Sequence, residues 1–156
     1  MRKVTIVLAL ALALALLVGT FGCSSNGADD EQEVRDLIEG QVAALNEVDL
    51  ETVYNHKTPS YRSRVTAEEY EGFILVAYAD FLPQVQSGAV EVFIADVEVR
   101  VEGEWAYITG KLGVDGTVLL EYTDEAPDIW QKIDGKWYDV EENPLFPGYD
   151  PSELPD

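Results

Sequence analysis

The sequence predicts an α+β domain in which three N-terminal helices pack on one face of a curved antiparallel sheet of four to five strands. Three observations carry that prediction. Apolar residues recur at helical spacing as far as Phe81, the period changes to two from Ala89 onward, and Gly103, Gly116 and Gly135 punctuate the C-terminal half of the chain. Helices leading into a meander, rather than alternating with strands, is the order that places helices over one face of an antiparallel sheet.

Asp30 is the expected cap of the first helix, with Glu33 three residues on, and Val34, Leu37, Ile38, Gln41, Val42 and Leu45 mark one face as far as Glu47. Asp49 starts a second, short helix through Leu50, Val53 and Tyr54, which Pro59 is expected to end. Thr66-Ala67-Glu68-Glu69 is a capping box, and Tyr70, Phe73, Ile74, Ala77, Tyr78 and Phe81 give a third helix running to Pro83. Strands are expected over Val90–Val101, Glu104–Leu112, Thr117–Thr123, Asp128–Ile133 and Lys136–Glu141. Ile133-Asp134-Gly135-Lys136 is a hairpin signal, since Asp-Gly suits the positive backbone angles of a type I′ turn. In the first strand Val90, Val92 and Ile94 share one parity and Val97, Val99 and Val101 the other, so a β-bulge near Ala95-Asp96 is expected to bend the sheet.

The N-terminus carries an address. Arg2 and Lys3 precede a 15-residue run, Val4 to Val18, broken only by Thr5, and Gly19-Thr20-Phe21-Gly22-Cys23 is a small-residue exit, so residues 1–22 read as a secretory signal peptide. At ~1.5 Å per residue the run spans roughly 22 Å, short of a hydrocarbon core of about 30 Å, which makes a permanent spanning helix the poorer reading. Removing the leader takes Arg2 and Lys3 with it, so the net charge of −20 becomes −22. Cys23 and the polar Ser24-Ser25-Asn26-Gly27-Ala28-Asp29-Asp30 after it resemble a bacterial lipoprotein signal. That resemblance implies lipidation of Cys23 and a flexible tether over residues 23–30. Ordinary cleavage after Gly22, leaving a free thiol, is the alternative. Either way the expected location is the cell envelope, on the extracytoplasmic side, with acyl chains on Cys23 as the membrane partner.

Three pieces between Glu31 and Glu142 go together: the helix-Asn46-x-x-Asp49-helix opening, Tyr61-Arg62 before the capped third helix, and the closing Ile129-Trp130-Gln131-Lys132-Ile133-Asp134-Gly135-Lys136-Trp137-Tyr138 hairpin. With them this stretch resembles the nuclear transport factor 2-like superfamily of cone-shaped α+β domains. The resemblance implies a simplified cone, because residues 57–65 offer only Tyr61 and Val65 as large anchors in place of a strand pair. Active members place an Asp or a His-Asp pair in an apolar cone, tuned by desolvation and a tyrosine hydroxyl. The pocket candidates are therefore Tyr54, His56, Tyr61 and Asp96, although no spacing joins them into a catalytic motif. Each has a plainer reading. His56 suits a helix end, Asp96 shares parity with Glu98 and Arg100 and so points to water, and the tyrosines at helical spacing suit the core.

Composition excludes several functions. With 30 acidic against 10 basic side chains, phosphate backbones would be repelled, so no nucleic-acid partner is expected. One cysteine and one histidine leave no multi-residue metal site, no Asp-x-Asp-x-Asp-Gly loop occurs, and no cofactor is expected. Asp29-Asp30-Glu31, Glu68-Glu69, Asp124-Glu125 with Asp128, and Glu141-Glu142 fall at caps, turns and strand ends and read as solvated surface. Residues 143–156 form a Pro-rich acidic tail that Leu145, Phe146 and Tyr149 either tack onto the domain or leave as a recognition segment. In the second strand Ala106, Ile108, Gly110 and Leu112 suit packing under helices, while Trp105 and Tyr107 take the opposite face. With Trp130 they would form an aromatic patch fit for a protein partner or a homodimer through the sheet face. The functional expectation is a lipid-anchored, non-catalytic module that binds a small apolar ligand or a protein. A small cone-pocket enzyme of isomerase, dehydratase or cyclase type is the alternative.

Overall fold

A computed structural model of the chain describes residues 26–155. The expected signal peptide, residues 1–22, and Cys23 lie outside the described residues. The domain is α+β, with five helices and a five-stranded antiparallel sheet that does not close. The helices are α1 (Asn26–Glu47), α2 (Leu50–Asn55), α3 (Pro59–Arg64), α4 (Ala67–Ala77) and α5 (Leu82–Gln86). The strands are β1 (Val92–Glu102), β2 (Trp105–Val114), β3 (Thr117–Tyr122), β4 (Asp128–Ile133) and β5 (Lys136–Asp139). Among the described residues no helix is long and apolar enough to cross a membrane.

Five helices stand where three were expected, and proline explains both extra ones. Pro59 opens α3 rather than closing its predecessor: α2 has already ended at Asn55, and the Thr58 hydroxyl caps the new helix by accepting from the Tyr61 N–H at 3.0 Å. Pro83 likewise sits in the first turn of α5, after α4 has stopped at Ala77. A proline's missing N–H costs nothing in a first turn, so it starts a helix as readily as it stops one. The expected caps at Asp49 and Thr66 are present, the latter as a full capping box with Glu69. Helix α1 covers Asn26 to Asp30, a stretch that composition reads as flexible tether. Asp30 is inside the helix rather than at its cap, and its carboxylate pairs with the Lys132 ammonium on β4.

Strand β2 is the spine of the sheet. It pairs with β1 along one edge, while its first half pairs with β4 and its second half with β3 along the other. The bulge is where the parity switch places it: register slips between Ala95 and Glu98, and Asp96 takes a φ of 56°. Ile94 therefore faces the helices beside Leu112, and past the bulge Val99 does so beside Ile108. The Asp134-Gly135 turn has φ of 51° and 79°, as a type I′ hairpin requires. A second slip comes after Leu112, where the Phe93 ring and the Thr117 carbonyl occupy the space that a Cβ on Gly113 would need.

Two apolar clusters result. One joins Val34 and Ile38 of α1 to Ala106, Ile108, Trp130 and Trp137 of the sheet, and the other joins Ala44 of α1, Leu50 and Val53 of α2, Tyr61, Val65, Tyr70, Ile74 and Leu82. The tail is docked, not free. Phe146 packs on Phe73 with ring centroids 4.7 Å apart, and Arg64 holds the Gly148 carbonyl at 2.8 Å and the Glu153 carboxylate at 2.7 Å. Of the tail's expected anchors only Leu145 stays exposed.

Candidate functional site

Between α1, α4 and the concave sheet face the two clusters do not meet. They leave a cavity of about 590 Å³, within the range of pockets that hold small molecules. Its apolar wall is drawn from Val42 and Leu45 of α1, Ile74 of α4, and Ile94, Leu112 and Val114 of β1 and β2. The bulge makes this space, because a sheet that bends away from the helices cannot be filled by the side chains of α1 alone. Tyr78, Leu119 and Leu120 both line the cavity and are exposed, Leu119 at 66%, so the mouth has an apolar rim.

The enclosed end is ionic. Lys57, in the link between α2 and α3, is only 7% exposed, and its Nζ lies 2.9 Å from Asp139 Oδ2 and 3.1 Å from Glu141 Oε2. The backbone builds this contact: Lys57 and Asp139 form a parallel β-bridge, with the Asp139 N–H donating to the His56 carbonyl at 2.8 Å. Gln41 of α1 donates a further hydrogen bond to Asp139 at 3.0 Å. Burial opposes the charge on Lys57, but Asp139 and Glu141 outweigh it and hold the ammonium well above its ordinary range. Glu141 is itself raised, by burial first, with Lys57 pulling back.

Two further carboxyls complete the wall. Asp128 accepts from the Trp130 indole N–H at 3.0 Å, and burial, reinforced by Asp139, pushes its carboxyl up to about 7. Glu142 keeps one buried oxygen without a hydrogen-bond partner, and burial with the neighbouring Asp128 and Asp139 pushes it up to about 8. Tyr70 and Tyr122 also line the cavity, and burial raises both phenols. Around neutral pH this end therefore offers protons held by two half-buried acids, Asp128 and Glu142, beside one fully paired cation.

Asp128, Glu141 and Glu142 overturn the reading of these acids as solvated surface. For two of them a signal exists in the alternation: Asp128 shares parity with Trp130, which is 0% exposed, and Glu141 shares parity with Trp137 and Asp139, whereas Glu142 has the opposite parity and none. The four residues singled out from sequence stand elsewhere, and none lines the cavity. Asp96 is exposed on the outer face, paired to Lys111 at 2.7 Å. Tyr54 spends its hydroxyl on the Val65 carbonyl at 2.8 Å and packs against Tyr70, while Tyr61 is buried in the core with an unpartnered hydroxyl pushed up to about 12 by burial. His56 is the C-cap of α2, as expected of a helix-end residue, but it is half-buried against Trp130, and that burial lowers its pKa against the pull of Asp139.

The aromatic patch also dissolves. Trp130 stands opposite Ala106 on the helix-covered face, whereas Trp105 and Tyr107 stand opposite Gln131 and Ile129 on the other. A one-residue difference in parity separates the rings by the thickness of the sheet. Tyr107 is instead covered by the Arg100 guanidinium, 4.9 Å from its centroid. Compared with known protein families and with curated proteins, the chain matches none.

Proposed function

We propose that this chain is an exported, lipid-anchored protein with a nuclear transport factor 2-like cone that binds a small apolar molecule and does no chemistry on it. The observation that carries the reading is the open cavity of about 590 Å³ with an apolar rim at its mouth. An apolar wall facing water stabilises any ligand that covers it, at about 25 cal/mol per Å² removed from solvent. Proton transfer by Asp128 is the second reading, since a carboxyl at about 7 suits general acid-base work. Binding is preferred because the polar groups beside it are committed to one another: Asp128 to Trp130, and Lys57 to Asp139 and Glu141.

Nile red, a neutral apolar dye, tests the cavity. It is expected to bind saturably with a blue-shifted emission, and Val42→Trp, which fills the space from α1, is expected to abolish that signal while the circular dichroism stays unchanged. A folded Val42→Trp variant that binds the dye as well as the parent removes the reading. The anchor has its own test. Cells fed an alkyne fatty acid are expected to label the parent chain but not Cys23→Ser, and an unlabelled parent protein ends the lipidation proposal.

A further inference from the structure

We propose that the ligand is an apolar amine, whose hydrocarbon body fills the cavity and whose cationic nitrogen meets the Asp128 and Glu142 carboxyls. The inference rests on the binding reading above and names the ligand class for that cavity. Among the described residues that line the enclosed end, Lys57 is the one cation, and it is already held by Asp139 and Glu141 at 2.9 and 3.1 Å. That leaves Asp128, whose Oδ2 takes the Trp130 N–H, and Glu142, which has the Ile129 N–H beside its carboxyl but keeps Oε1 buried without a hydrogen-bond partner among the described residues. A buried acceptor without a donor costs about 1–3 kcal/mol, which a ligand N–H recovers.

Charge sets the sign of the selection. Asp128 is faced by Asp139, Glu141, Glu142, the phenol of Tyr122 and, from the helical side, Lys57. This group is acidic in sum, so a carboxylate or phosphate head would enter a region of like charge at low dielectric. A neutral alcohol would satisfy hydrogen bonds but leave the carboxyls protonated. An ammonium lets Asp128 and Glu142 ionise against it, releasing protons that burial otherwise forces them to keep. The chain's net charge of −20 adds a field that concentrates cations at the mouth.

Displacement of Nile red by decylamine, decanol and decanoate, each below its micelle concentration and at about pH 7, reads this out. Decylamine is expected to displace the dye at about tenfold lower concentration than decanol, and decanoate not to displace it. In Asp128→Asn/Glu142→Gln the advantage of the amine is expected to vanish while decanol is unaffected. Glu142→Gln alone, which keeps the Trp130 bond to Asp128, serves if the double variant does not fold. An amine no better than decanol, displacement by decanoate, or an amine advantage that survives in the variant each overturns the proposal. Failure of decanol itself to displace the dye from the parent protein overturns the binding reading beneath it.

Discussion

Lys57→Met is expected to destabilise the domain by about 3–5 kcal/mol, a large fraction of the roughly 5–15 kcal/mol that holds a domain of this size together. Methionine fills nearly the same space, so the loss is electrostatic: Asp139 and Glu141, each 6% exposed, would be left without their cation. The buried pair itself contributes little net stability, since desolvating both partners offsets their attraction, whereas removing one partner exposes the whole penalty of the other. The cost is smaller at about pH 5 than at about pH 8, because Glu141, which burial raises and Lys57 holds down, takes up a proton in acid once the cation is gone. Urea denaturation of Lys57→Met, and then of Lys57→Met/Asp139→Asn/Glu141→Gln, separates this from a packing defect. The triple variant is expected to regain most of the lost stability, and a triple variant as weak as the single one rejects the electrostatic account.

The fold was legible where local rules and tertiary context agree. The parity switch at Ala95, the capping box at Thr66 and the Asp134-Gly135 turn each act over a few residues, and each stands where the sequence puts it. Proline misleads twice because its effect depends on its place in the helix, and Pro59 and Pro83 both lie in first turns. The site was hidden for a different reason. Surface acids outnumber buried ones so heavily in this chain that Asp128, Glu141 and Glu142 look like more of the same. A partner distant in sequence, Lys57, distinguishes Glu141, brought to it by the bridge to β5, whereas Asp128 and Glu142 are set apart only by the cavity they line. Strand parity held the clue, but parity gives a face and not its depth, and depth comes only from how α1 and α4 stand off from the bent sheet. Tyr54, His56 and Tyr61 attract notice by residue type alone, and type does not separate a side chain that lines a cavity from one that supports its wall from behind.

Asp128→Asn is expected to make stability less dependent on pH, with the gain appearing on the alkaline side. Folding raises the carboxyl from 3.8 to about 7, so between these values the native state holds a proton that the unfolded chain has given up. Stability then falls as pH rises through the window, by up to about 1.4 kcal/mol per pH unit, and the loss is complete above about pH 7. Asparagine keeps the acceptor for the Trp130 N–H and has no proton to lose. The variant is therefore expected to match or trail the parent at about pH 4 and to exceed it by an amount on the order of 2–4 kcal/mol at about pH 8. Glu142 sharpens the comparison: its carboxyl is raised partly by Asp128, so the substitution lets it ionise at lower pH and removes part of a second alkaline penalty. Denaturant midpoints of both proteins across this range decide the matter, since a difference that stays flat with pH means Asp128 is ionised throughout and the enclosed end of the cavity is wet.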